Sequence, residues 1–173
     1  FRGLLLTLKG TSSEAMSVSV KWDGAPAVVC GTNPDNGKFF VGTKSVFAQN
    51  AKINYTKKDI ANNHGTDELG QKLLKCLVHL KKLNIQSVVQ GDLLYTDEDI
   101  TRKNIGGKPH LTFTPNTITY AVPEGGELAK QIDRAKVGII FHTTYAGDSL
   151  ADMNAQAGAD AVSYTHLRAH ETP

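Results

Sequence analysis

Three short groups of residues in this chain have the side chains and spacing that chemistry needs. The first is "KWDG", Lys21-x-Asp23-Gly24. Lys21 belongs to the alternating run Ser17–Trp22, in which Val18, Val20 and Trp22 share one face and Ser17, Ser19 and Lys21 the other. A lysine in that place is either a solvated charge or a nucleophile, and Gly24 just beyond it lets backbone approach a ligand closely. The second is Lys44 in "FVGTKSVF", expected at the end of a returning strand as a phosphate contact or a surface charge. The third is Gly91-Asp92 in "SVVQGDLL". An acid following a buried apolar strand suits a metal ion or a ribose hydroxyl; the plainer reading is a turn cap.

Other sequence features carry less chemistry. "GTNPDNGK" looks like a phosphate-binding loop but is not one. That motif has four residues between its glycines and a Ser or Thr after the lysine, whereas five residues separate Gly31 from Gly37 and Phe39 follows Lys38. Cys30 and Cys76 are the only cysteines. They fit neither a disulfide framework nor a zinc spacing, and read as small buried hydrophobes in a reducing compartment. His142 in "FHTTY" is placed to face the site or to be a plain strand residue.

Taken in order, "KWDG", "GTKSVF" and "VQGDLLY" resemble the motifs of the covalent nucleotidyltransferase superfamily, the ATP-dependent DNA and RNA ligases and mRNA-capping guanylyltransferases. The wording "VKWDGAPA", "GDLLYT", "FTPNTITYAVP" and "VGIIFHTTY" is similar to uncharacterised phage-encoded members of that ligase-like group. The resemblance implies an adenylation-domain fold, with ATP and magnesium as cofactors and RNA or DNA ends as partners. It implies Lys21 as the nucleophile that takes AMP through a phosphoramide bond. Asp23, Gly24, Lys44, Gly91 and Asp92 would lie on the nucleotide side, with Asp92 the carboxylate for the metal and Asp23 orienting the loop or the lysine. It further implies a cytoplasmic protein, in an infected host cell if phage-encoded. GTP-dependent capping, or a nucleotide- or nucleic-acid-binding module of the same fold without catalysis, are the alternatives. The chain departs from the pattern in three ways. Pro26 stands where many DNA ligases have arginine, Asp92 replaces the commoner glutamate, and the later Glu-Gly and Lys-x-Lys motifs are missing. The resemblance therefore implies that this fragment does not ligate and adenylylates itself poorly or not at all, whereas the full-length protein would do both.

These residues need elements to hold them. Ala27–Cys30 and "KFFVGT", joined by the turn-rich "TNPDNG", read as a β-hairpin over residues 27–43. "TDELGQKLLKCLVHLKKL" is the clearest helix. Leu69, Leu73, Leu77 and Leu80 form its stripe with Cys76 and Leu83 beside it, and Thr66 is the expected cap. "IQSVVQGDLLY" follows as a buried strand. An exposed loop is expected from Thr96 to Pro109, then a strand "NTITYAV", a short helix from Glu127 to Ala135, and the strand "VGIIFHTTY". Strands joined by turns, with two or three helices, make an α+β fold with mainly antiparallel sheets.

Bulk properties bound these readings without choosing among them. The chain has 173 residues and a formal net charge of +2, too mild to argue for nucleic acid by charge alone. No apolar run approaches the roughly 20 residues that span a bilayer. "VSYTHLRAHET", Val162–Thr172, resembles translated sequencing-adapter DNA letter for letter. The expected organisation is therefore a partial nucleotidyltransferase domain over 1–160, truncated at both ends, followed by a non-native tail over 161–173.

Overall fold

The computed structural model describes residues 26–156. Lys21, Trp22, Asp23 and Gly24, the strand expected at Ser17–Trp22 and the tail from Val162 lie outside the described residues. The fold is α+β with mostly antiparallel sheets. Strands β1 (Ala27–Thr32), β2 (Phe39–Gly42), β3 (Val88–Thr96), β7 (Val137–Ala146) and β8 (Asn154–Gln156) form one sheet in the order β2-β1-β3-β7-β8. A second sheet has the order β4-β5-β6, from Thr101–Ile105, Lys108–Phe113 and Tyr120–Pro123. Three α-helices complete the described chain: α1 (Lys57–His64), α2 (Glu68–Leu80) and α3 (Glu127–Arg134).

The larger sheet is covered differently on its two faces. One face meets the helices. Val28, Cys30, Val41, Leu93, Val137 and Phe141 pack there with Ile60 of α1 and Leu73, Cys76, Leu77 and Leu80 of α2. The helix forms because those α2 residues recur at three- and four-residue spacing, so one stripe turns inward. The other face carries Val29, Phe40, Val46, Val88 and Leu150, under the short 3-10 turns Lys44–Phe47 and Leu150–Asp152. A third apolar group joins Tyr95 of β3 to Leu111 and Phe113 of β5 and to Ala129 and Ile132 of α3.

Several expectations need correction. The cap of α2 is Asp67, which accepts from the Gly70 N–H at 3.3 Å, rather than Thr66. Leu83 is 40% exposed, because the helix tightens into a 3-10 turn at Lys81–Leu83 and carries it off the stripe. The loop expected from Thr96 to Pro109 contains β4 and the start of β5, joined at Gly106-Gly107. The strand expected over 116–122 is shorter and later, at Tyr120–Pro123. Helix α1 goes unpredicted because it buries only Ile60, and a capping box between Thr56 and Asp59 starts it. Among the described residues no helix is long and apolar enough to cross a membrane.

Candidate functional site

Strand β3 is central, and its register decides where Asp92 points. Ala27 of β1 lies opposite Asp92, and Val29 opposite Gln90. Directly opposed residues share a face, so Gln90 and Asp92 stand with Val29 on the face away from α1 and α2. On the other flank β7 places Ile140 opposite Asp92 and Phe141 opposite Gly91, then Thr143 opposite Gln90. His142 is the extra residue of that step, a β-bulge.

Five polar side chains line this part of the sheet. The His142 Nε2 is 3.5 Å from Asp92 Oδ1, and the Asp92 side chain is only 14% exposed. His142 Nδ1 is 2.8 Å from the Thr143 hydroxyl. One row further, the Tyr145 hydroxyl donates to Gln90 Oε1 at 2.7 Å. Gln90 is buried, so this bond satisfies an amide oxygen that would otherwise lose its water without compensation. Burial raises the Tyr145 pKa, which keeps the phenol a neutral donor. Beside Asp92, Ile140 is 42% exposed. The carboxylate thus sits on a sheet face that stays open at one end and is roofed by apolar packing at the other.

Gly91 has a packing reason of its own. A Cβ added there would stand 2.5 Å from the Ile140 carbonyl oxygen and 2.9 Å from a Phe141 ring carbon. The missing side chain lets β7 come close at the step that presents His142.

Lys44 is exposed and opens the 3-10 turn that follows Thr43. The expected strand end is shorter than anticipated, since β2 pairing stops at Gly42, opposite Val29. Lys44 leaves the sheet at the same end of β1 that carries Ala27. Among the described residues no hydrogen bond or ion pair links Lys44 to Asp92. The structure therefore joins Asp92 to His142 and leaves Lys44 as an exposed cation nearby in register, without an ion-pair partner among the described residues. His142 acquires its place through the bulge, which strict alternation along "VGIIFHTTY" does not reveal.

The chain comes into this site from the residues that bear the first motif. The Pro26 carbonyl accepts the Leu93 N–H at 3.1 Å, so the described chain enters β1 at Pro26 with Ala27 opposite Asp92. Among the described residues no group of three or more His, Cys, Asp and Glu could hold a metal ion. A magnesium ion is commonly held by one or two carboxylates together with substrate phosphates and water. Asp92 fits that limited role and no larger one.

A second charged group lies on the α2 side of the fold. Lys75 pairs with Asp97 and with Glu98 (2.8 Å), Lys136 with Asp97 (2.9 Å), and Lys72 with Glu68 (2.8 Å) and Asp99 (3.4 Å). Each of these acids has a cation, and the group ties the turn after β3 to α2.

Compared with known proteins, residues 2–172 match the model of one family, described as a family of unknown function (DUF6267). No curated protein and no solved structure matches the chain.

Proposed function

The chain belongs to DUF6267, a family of unknown function, and we propose that it is the nucleotide-accepting core of a ligase-like covalent nucleotidyltransferase with Lys21 as nucleophile. One observation carries the reading: Ala27, the residue after "KWDGAP", is paired directly with Asp92. Ala27 follows Gly24 by three residues, and its pairing supports placing the first motif near the third.

In the proposed step the neutral Lys21 amine attacks the α-phosphorus of ATP. An N–P bond forms, the bond from the α-phosphorus to the bridging oxygen breaks, and pyrophosphate leaves with that electron pair. The attacking nitrogen gives up a proton to solvent. A free lysine has a pKa of about 10.4, so the amine needs positive charge nearby, and Lys44 at the same end of β1 supplies one such charge. Asp92 would hold a magnesium ion, which neutralises charge on the phosphates. His142 steadies the Asp92 carboxylate from the side. Adenylate carried on Lys21 would then pass to a 5′-phosphate end of RNA or DNA.

Pro26 favours a second reading, a nucleotide-binding module of the same fold without the covalent step. Its carbonyl is spent on the β1–β3 junction, and no guanidinium stands at that position to grip a phosphate.

Incubation of the full-length gene product with α-labelled ATP or GTP and magnesium separates the two. The expected result is label that survives denaturation and disappears in Lys21→Ala. Tight nucleotide binding without denaturation-stable label would establish the module instead, and neither label nor binding would remove both readings.

A further inference from the structure

The segment "TRKNIGGKPH", Thr101–His110, folds into a tight two-stranded ribbon. Gly106 and Gly107 both have positive φ, 58° and 78°, and Ile105 pairs with Lys108 across them. Two consecutive positive φ values make the hairpin turn whose twist matches its strands, and glycine takes them without strain. Strand β6 pairs only with His110–Phe113, so the tip stands beyond the three-stranded sheet. All five residues of β4 are exposed.

The ribbon holds Arg102, Lys103 and Lys108 and no acidic residue. Arg102 is engaged on the side towards α3, with Glu124 at 3.3 Å and Asp133 at 2.5 Å. The opposite face is differently furnished. Lys103 lies across from His110, and Ile105 across from Lys108, so both lysines, the histidine and an isoleucine 46% exposed share it. Among the described residues neither lysine has an ion-pair partner, as is also the case for Lys44, Lys57 and Lys58. Charges on an edge strand also deter strand-to-strand aggregation. That role accounts for cations on β4, but not for Lys108 on the strand behind it.

We propose that this ribbon is a nucleic-acid arm that grips the backbone of duplex DNA through Lys103 and Lys108. A two-stranded ribbon fits the DNA major groove, and unpaired lysines on an acid-free face neutralise phosphates there. The arm needs neither Lys21 nor a bound nucleotide, so it stands apart from the reading proposed above.

The test is fluorescence anisotropy with a short labelled DNA duplex, without ATP or magnesium, from about 50 to 200 mM salt. Wild-type protein is expected to bind, with an affinity that falls steeply as salt rises. In the double variant K103Q/K108Q the slope of log affinity against log salt should shrink by about 1.8, the loss of two phosphate contacts. K57Q/K58Q, which removes the same charge from exposed positions on α1, should keep the wild-type slope. Equal losses in the two double variants would reduce the effect to net charge and overturn the arm. Absence of duplex binding at low salt would overturn it too, as would binding to phosphatidylserine vesicles in place of the duplex. Thermal melting of each variant checks that the fold survives.

Discussion

His142 Nε2 stands 3.5 Å from Asp92 Oδ1, across the join between β7 and β3. The Asp92 carboxylate is thus mostly buried with an imidazole beside it, rather than a free surface charge. On the proposed reading, Asp92→Asn should cut nucleotide labelling about 100-fold, the scale of losing a group that stabilises developing charge. His142→Ala should raise the magnesium concentration needed for half-maximal labelling about tenfold, as loss of an orienting partner does. His142 is exposed, so its melting temperature should hardly move. Labelling across a magnesium titration reads both variants. An unchanged magnesium requirement in His142→Ala would separate that residue from the site.

Gly91→Ala should destabilise the protein by about 1–3 kcal/mol, the usual cost of overpacking. The added methyl meets backbone atoms of Ile140 as well as the Phe141 ring, so relief requires β3 and β7 to part. Urea unfolding measures the loss, and amide exchange should quicken along both strands. An unchanged unfolding midpoint would show that the two strands tolerate separation.

Both cysteines should resist thiol reagents until the protein unfolds. Cys30 and Cys76 are fully buried in the core between the sheet and α2. Burial pushes the Cys76 thiol up to about 12. Burial, and then the neighbouring Cys76, raise Cys30 well above its ordinary value. Only the thiolate reacts. Titration with a chromogenic disulfide at pH 8 should therefore show almost no fast phase in native protein and two thiols in denaturant. A fast native thiol would mean that the α2 layer opens readily.

Acid should loosen the turn after β3. Partial burial alone would raise the Asp97 pKa, but hydrogen bonds and charge from Lys75 and Lys136 outweigh it and hold the carboxyl below its usual range. A carboxyl depressed in the folded state contributes stability above its unfolded value of about 3.9. That contribution is lost as pH falls through the folded value. Melting temperature followed downward from pH 5 should drop, and Asp97→Asn should flatten that limb while lowering stability at pH 7. Parallel acid limbs in the two proteins would assign the loss to other carboxyls.

How far the sequence revealed this molecule depended on how much of each element is buried. Helix α2 was readable because Leu73, Leu77 and Leu80 all turn inward, which produces a helical period. Strands β1, β3 and β7 were readable as apolar runs for the same reason. The ribbon at Thr101–His110 hid because β4 buries no residue, so no alternation marks it. Its Gly-Gly pair was the available signal. Asp92 was expected as an acid at the end of an apolar strand, whereas it lies within β3, paired on both sides, and its partner was not identifiable. A bulge adds a residue without changing composition, so nothing in "FHTTY" shows which side His142 takes.

That inserted residue also acts as a phase change for the whole strand. Ile139 and Phe141 pack towards the helices, whereas Tyr145, of the same odd parity, packs on the far side with Val88 and Leu150. Deleting His142 would put all three back in step. The far half of β7 would then have to rotate Tyr145 under α2, or slip by one residue and give up the Gln90 bond. The far half of β7 is thus held on its own core by a single unit of chain length.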